Sequence, residues 1–203
     1  VAQVNVLDKA IHMAVEDLFS ATNFILDNAD QFGVNPSNIV ISGSSAGAIS
    51  VMQAEYEIAN ATQWASVLPA GFNYAGVMSF SGAILSREGK VDFKKSPCPT
   101  LMLHGTSDEL VPYDQIKVFN LGFFGGGKLV ERFKKYGLNY NMYHFTDYGH
   151  EIAGSMDTTL DLQLKFLETN VMQKKMRIVE AWISDPDVFK GSGPQSRKEL
   201  YGN

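Results

Sequence analysis

The stretch NIVISGSSAGA, Asn38–Ala48, joins three local patterns without a break. Its first part, Asn38–Ser42, is a short run rich in β-branched residues, which predicts a buried strand. Gly43–Gly47 predicts a tight turn, and the small and apolar residues over 46–59 predict a helix. A strand that turns sharply into a helix is typical of the elbow that exposes a nucleophilic serine. The stretch therefore indicates an α/β fold with a candidate site at the turn.

Gly43, Ser45 and Gly47 have the spacing G-x-S-x-G, with Ser44 and Ala46 between them. In such an elbow the serine lies at the apex of a strained turn, and the glycines let strand and helix approach without a Cβ between them. A phosphate-binding loop fits less well, because no Lys-Ser or Lys-Thr pair follows and the spacing is not G-x-G-x-x-G. A purely structural turn stays open as an alternative.

The composition is that of an ordinary globular protein: 203 residues, 45% of them hydrophobic and 19% charged, with a formal net charge of -5. This length predicts one domain. Without a basic excess, nucleic acid and anionic membranes are not expected partners, and no apolar run reaches the roughly 18 residues of a membrane span. The single cysteine, Cys98, excludes an intramolecular disulfide and leaves the localisation open.

Strand and helix patterns alternate along the chain after a first amphipathic helix over residues 8–30. Further strands are expected over 75–80, 100–104 and 140–145, and further helices over 128–136 and 156–172. This alternation predicts a mostly parallel sheet with helices on both faces. We expect one domain over residues 1–175 and an irregular tail over 176–203 with a short strand near 177–183.

Functional side chains of a parallel sheet gather where the strands end at their carboxyl edge. Besides Ser45, two such strand ends carry candidate groups, Asp108 and His150. A serine hydroxyl needs a general base, and His150 is well placed for that role in a glycine-flanked loop after a strand. Three other histidines fit less well, one on the surface of the first helix and two within strands: His12, His104 and His144.

The base in turn needs an acid that orients its ring, and Asp108 follows a strand in a loop that ends at Val111-Pro112-Tyr113. An aspartate in such a loop often does no more than cap a turn. Glu109 and Asp147 are rival acids, but Asp108 fits the strand-end position best. The chain order Ser, Asp, His is that of the α/β-hydrolases and differs from the two other well-known orders of this triad.

Three segments together resemble α/β-hydrolase-fold serine carboxylesterases: GSSAGA (43–48), PTLMLHGTSDELVPY (99–113) and YHFTDYGHE (143–151). The nearest group is the bacterial esterases and lipases that border on hormone-sensitive-lipase-like and acetyl-xylan or feruloyl esterases. The resemblance covers residues 8–172. It implies a nucleophile at Ser45, an elbow formed with Gly43, Ser44 and Gly47, and half of an oxyanion hole at the backbone N–H of Ala46. It implies no metal and no cofactor.

The sequence departs from this family upstream of Ser45. The second oxyanion donor of such enzymes comes from a His-Gly-Gly-like loop, and no such loop precedes the elbow. We therefore expect the first strands of the usual sheet to be missing, which would expose a sheet edge and favour self-association. The chain begins with Val1 rather than methionine, so the native N-terminus is expected to lie elsewhere and an export signal stays open.

The function that these motifs predict is hydrolysis of a carboxylic ester through an acyl-enzyme, on a small-molecule or carbohydrate-linked substrate. Alternatives are a prolyl-oligopeptidase-like peptidase, because the acid loop HGTSDELVP is similar, and a catalytically incomplete binding protein of the same fold. The short segment 84–99 suggests an open cleft without a lid. Substrate-binding residues stay unidentified, although four aromatic residues could line a cleft or lie in the core: Tyr56, Phe72, Tyr74 and Tyr113.

Overall fold

The computed structural model describes residues 2–187, 196, 198 and 199. Strands in this part of the chain are β1 Val40–Ser44, β2 Gly76–Phe80, β3 Ala83–Ser86, β4 Thr100–Gly105, β5 Gln115–Val118, β6 Leu121–Gly125, β7 Tyr140–Phe145 and β8 Val179–Ile183. The α-helices are α1 Ala2–Asp27, α2 Ala29–Phe32, α3 Ala46–Ala59, α4 Gly126–Tyr136 and α5 Leu160–Phe166.

The main sheet has five parallel strands in the order β1-β2-β4-β7-β8. Each neighbouring pair is joined by a crossover, so the carboxyl ends of β1, β4 and β7 meet at one edge. These are the three strands after which the sequence placed its candidate residues. The predicted fold class, a mostly parallel sheet with helices on both faces, is confirmed.

Alternating side chains of the strands build two hydrophobic cores, one on each face of the sheet. Met102 of β4 belongs to the core beneath α1, α3 and α4, together with Phe19 and Phe133. Its neighbours Leu101 and Leu103 belong to the opposite core, which α5 covers through residues such as Phe166. The alternation places both faces of β4 in apolar surroundings, which explains its nearly continuous apolar sequence.

The predicted elements are present with shifted ends. Helix 46–59 is found as predicted. The helix predicted over 8–30 begins earlier, at Ala2, and is divided into two helices, α1 and α2. The helix expected over 156–172 is wrong at its start: α5 begins at Leu160, and residues Leu167–Met172 continue as a π-helix.

The short strand near 177–183 is β8, which lies at the edge of the sheet. Most of the expected tail, after residue 187, lies outside the described residues. The division at residue 175 stays a prediction.

A second, antiparallel sheet of three strands, in the order β3-β6-β5, has no counterpart in the sequence prediction. Its central hairpin, Gln115–Gly125, turns at Phe119 with φ 54° instead of at the Asn-Gly or Asp-Gly pair that usually marks such a turn. β5 has only four residues, Gln-Ile-Lys-Val, and all of them are exposed, so its polar and apolar residues alternate without burying either face. The hairpin links the end of the acid loop to α4.

β1 and β8 are the two edge strands of the main sheet. Ser42 on β1 is exposed, so β1 is the edge strand at which the expected self-association would take place. Self-association itself stays a prediction.

Glu55 on α3 is a buried carboxyl group that takes no part in the candidate site, with only 4% of its surface exposed. Its Oε1 accepts the backbone N–H of Cys98 at 2.8 Å, while its Oε2 has no hydrogen-bond partner among the described residues. Burial raises the pKa of Glu55 to about 7, against the smaller lowering effect of the Cys98 hydrogen bond. The folded chain thus holds a proton on Glu55 at a pH at which the unfolded chain has lost it.

This raised pKa predicts that the free energy of unfolding falls as the pH rises from about 4.5 to about 7, because the folded state binds the extra proton in that window. The loss amounts to about 3 kcal/mol. Glu55→Gln removes it, so urea unfolding at intervals between pH 4.5 and pH 8 should give a flatter curve for this variant than for the wild type. Glu131→Gln, at an exposed position, is the control and should run parallel to the wild type. Parallel curves for Glu55→Gln would contradict the prediction.

Candidate active site

Ser45 lies between the end of β1 and the start of α3, at the apex of the turn. Its backbone angles are φ 52° and ψ −117°, a region that side-chain-bearing residues rarely adopt. The backbone N–H of Ser45 donates to Phe80 O at 2.9 Å, which fastens the turn to the end of β2. Strain held in place by surrounding structure is typical of functional positions.

The close approach of strand and helix at the elbow depends on Gly43 alone. A Cβ on Gly43 would overlap the backbone carbonyl of Gly47. The same clearance was expected of Gly47, and this expectation is wrong: among the described residues, a Cβ there would meet no atom within 4 Å beyond its chain neighbours and the backbone of its own helix. Gly47 lies in the first turn of α3 and is exposed to solvent.

The two glycines therefore predict opposite effects on stability. Gly43→Ala forces the backbone of the elbow apart and should lower the free energy of unfolding by about 3 kcal/mol. Gly47→Ala adds a methyl group to a helix without a clash and should be neutral or raise stability by up to about 1 kcal/mol. Chemical denaturation of both variants measures the difference, and equal losses would contradict this account of the elbow.

His150 begins a short 3-10 helix, His150–Gly154, directly after the loop that follows β7. This loop packs against the end of β4, where a Cβ on Gly105 would overlap the backbone carbonyls of Tyr148 and Gly149. The N–H of Ser107 also donates to Tyr148 O at 2.9 Å. Gly105 thus lets the acid loop and the histidine loop lie side by side, a role that sequence reasoning missed because the contact joins distant parts of the chain.

The three predicted residues lie together as a continuous chain of hydrogen bonds. Ser45 Oγ lies 2.8 Å from His150 Nε2, and His150 Nδ1 lies 2.8 Å from Asp108 Oδ2. The side chain of Asp108 is fully buried and that of His150 is 12% exposed. With Nδ1 facing a carboxylate, the proton of neutral His150 belongs on Nδ1, which leaves Nε2 free to accept the serine proton.

Asp108 has two separate tasks, one for each carboxylate oxygen. Oδ1 accepts the backbone N–H groups of Leu110 and Val111 at 2.9 and 3.0 Å, so the turn-capping interpretation is also correct. Oδ2 faces His150 and, at 3.4 Å, Nε2 of His104. Burial acts to raise the pKa of Asp108, but the bonds from His104, His150 and Val111 outweigh it and hold the pKa well below its usual range.

Ser44 joins the elbow to the histidine segment. Its Oγ donates to Ala153 O, at the end of the 3-10 helix that begins with His150, at 2.6 Å. The sequence analysis assigned Ser44 only to the turn. Motif spacing cannot reveal this bond because its partner is a backbone carbonyl far along the chain.

The rival candidates lie elsewhere. Glu109 and Asp147 are exposed, and Asp108 is the acid that meets His150. His12 is half-buried against Trp64 instead of on the surface as predicted, with ring centroids 4.2 Å apart. His144 stacks on Trp182.

The four aromatic residues considered for a cleft pack against the core. Tyr74 is buried and its hydroxyl is 2.8 Å from Thr22 Oγ1. Tyr113 bonds to His144 Nδ1 through its hydroxyl at 2.7 Å. Tyr56 and Phe72 are partly buried against the same core. The residues that would contact a substrate therefore stay unidentified.

Ala46 is the first residue of α3 and is exposed. Backbone N–H groups in the first turn of a helix have no acceptor within the helix, and the helix dipole favours negative charge there. This position next to Ser45 suits a donor to an oxyanion formed at the serine. In the described part of the chain, no group of three or more His, Cys, Asp and Glu side chains is arranged to hold a metal ion.

Solved structures of two esterases superpose on this architecture. Esterase PE8 superposes with a TM-score of 0.50 at 22% sequence identity, over 78% of this chain and 62% of its own. A truncated carbohydrate esterase from gut microbiota superposes with a TM-score of 0.51 at 16% identity, over 76% of this chain and 67% of its own. The chain has the α/β-hydrolase fold.

Two further comparisons concern this chain. The family model BD-FAE, which describes an α/β-hydrolase esterase family, matches residues 5–76. A puromycin-hydrolysing peptidase of Mycobacterium tuberculosis superposes with a TM-score of 0.51 at 18% identity, over 83% of this chain and 27% of its own. None of the curated proteins compared matches the sequence significantly. The resemblance to α/β-hydrolase esterases is thus confirmed, and the chain spans 62% of the length of PE8.

No helix in the described part of the chain combines the length and the apolar character needed to cross a membrane.

Proposed function

We propose that this chain, which has the α/β-hydrolase fold, is a serine hydrolase that cleaves carboxylic esters. Ser45 Oγ attacks the ester carbonyl carbon while His150 Nε2 takes its proton, and the N–H of Ala46 binds the oxyanion. The carbonyl then reforms, the alcohol leaves with the proton from His150, and an acyl-Ser45 ester remains. Water repeats the sequence and releases the acid. Asp108 stabilises the imidazolium and orients the ring throughout.

The observation that carries this proposal is the unbroken chain of two 2.8 Å hydrogen bonds from Ser45 through His150 to a buried, ionised Asp108. A surface histidine near a serine would not need a buried carboxylate, which is costly to desolvate unless it is paired. The strained backbone of Ser45 supports the same assignment. The substrate class is supported by the family model and by the esterases that share the fold.

A panel of substrates tests the proposal and ranks the substrate classes. We expect hydrolysis of p-nitrophenyl acetate, with acetylated xylan and feruloyl esters separating carbohydrate-linked from simple esters, and little hydrolysis of p-nitrophenyl palmitate. Every rate is to be compared with that of Ser45→Ala. A folded wild type with no more esterase activity than this variant would contradict the proposal and favour a binding role for the same fold.

A peptidase is the second candidate. The specific observation that favours it is the superposition of the puromycin-hydrolysing peptidase over 83% of this chain. The same triad can attack an amide, but the leaving amine then requires protonation by His150 before the bond breaks. Dipeptide p-nitroanilides in the panel decide between the two: a kcat/KM higher on these amides than on all esters would replace the esterase assignment.

A further inference from the structure

His104 is a buried titratable residue that the triad does not use. It is the residue of β4 directly before Gly105, and only 1% of its surface is exposed. Its Nε2 lies 3.1 Å from Val111 O and 3.4 Å from Asp108 Oδ2. Both contacts lie in the acid loop, so His104 touches the segment that presents Asp108 to His150.

The other ring nitrogen of His104 settles its protonation. The N–H of Gly126, the first residue of α4, donates to Nδ1 at 3.2 Å. A nitrogen that accepts a hydrogen bond carries no proton, so the ring is neutral and its single proton lies on Nε2. Gly126 allows this approach because a Cβ there would come within 3.0 Å of Nδ1. The proton on Nε2 is shared between a carbonyl and the triad carboxylate.

The oxygen that His104 approaches is the one that matters for catalysis. Asp108 Oδ2 also faces His150 Nδ1 at 2.8 Å, while Oδ1 is occupied by two backbone N–H groups. The carboxylate is therefore held from three sides. The other titratable groups that face His104 are Tyr113, with ring centroids 5.7 Å apart, and His144, its register partner on β7.

We propose that His104 is a positioning residue of the triad, whose Nε2–H fixes the acid loop and directs Asp108 Oδ2 toward His150. The proposal rests on the proposed hydrolase function. Removing the donor should loosen the carboxylate and weaken its alignment with His150 Nδ1.

Two amide side chains of different reach separate this role from simple packing. In His104→Asn the amide oxygen can still accept the Gly126 N–H, but nothing reaches the position of Nε2. In His104→Gln the longer side chain can place an N–H near Val111 O and Asp108 Oδ2. Steady-state kinetics with p-nitrophenyl acetate from pH 5 to pH 9 would be measured for both variants and for the wild type.

We expect His104→Asn to lower kcat by about 10-fold with KM changed less than about twofold. His104→Gln should recover most of kcat. A packing defect would instead lower the melting temperature, and His104→Gln would not recover kcat. In an Asp108→Asn background, His104→Asn should have no further effect on kcat.

A measurement on the wild type avoids dependence on the folding of a variant. Histidine 15N–1H correlation spectra should show the Nε2-protonated tautomer of His104, with a bare Nδ1. A proton on Nδ1 would overturn the role of His104, as would an active wild type whose His104→Asn variant keeps the wild-type kcat. A folded wild type without esterase activity would instead overturn the proposed function itself.

Discussion

Replacing Ser45 with alanine is expected to lower kcat for p-nitrophenyl acetate by at least about 10⁴-fold, with the chain still folded. The hydroxyl is the only group of the triad that forms a bond to the substrate, and His150 Nε2, 2.8 Å away, would then have no proton to remove. Alanine occupies the same volume, so the elbow and its Phe80 bond should persist. Far-ultraviolet circular dichroism compares the fold of the variant with that of the wild type. A stopped assay at high enzyme concentration compares their kcat values.

Ser66→Ala is the matched control for this substitution. Ser66 is exposed and its hydroxyl bonds only to the nearby Gln63 O within the described residues. Its replacement should leave kcat and KM unchanged. Esterase activity in Ser45→Ala within tenfold of the wild type would show that another group performs the chemistry.

Asp108→Asn is expected to lower kcat on the order of 10⁴-fold while the fold and KM change little. The reason lies in the two oxygens of Asp108. Backbone N–H groups of Leu110 and Val111 hold an oxygen at the Oδ1 position, so the amide nitrogen of the variant must take the Oδ2 position facing His150. This nitrogen donates to His150 Nδ1 and drives the histidine proton to Nε2, where it blocks acceptance of the serine proton.

The control for this variant is Asp147→Asn, which changes an exposed carboxylate in the same loop as His150. Its φ of 62° is well tolerated by asparagine, so no change in activity is expected. If Asp108→Asn kept kcat within tenfold of the wild type, Asp108 would be a turn cap and the triad acid would have to be sought elsewhere.

The sequence predicted those parts of the fold and the site whose signals are local. Strand β1 and helix α3 could be read from a β-branched run, a glycine turn and a small-residue helix around Ser45. Asp108 and His150 were found because the carboxyl ends of parallel strands converge at one edge. The positions of all three candidates followed from chain order and strand ends without any knowledge of distances.

Features that depend on long-range contacts were missed. The antiparallel sheet formed by β3, β6 and β5 combines an exposed edge strand with a turn at Phe119 that lacks the usual turn residues. The clearance at Gly43 rather than Gly47 depends on how α3 packs on β1. His104 looked like an ordinary strand residue because its partner Gly126 is brought to it only by the fold.

The central claim is that Ser45 is an activated nucleophile, and labelling with a fluorophosphonate probe tests it most directly. Such a probe reacts with a serine whose proton can be removed, which the His150–Asp108 pair is arranged to do. We expect one probe molecule per chain, peptide mapping that places it on Ser45, and loss of labelling in Ser45→Ala and Asp108→Asn. A folded chain that remains unlabelled, or that carries the probe on a different residue, would contradict the account.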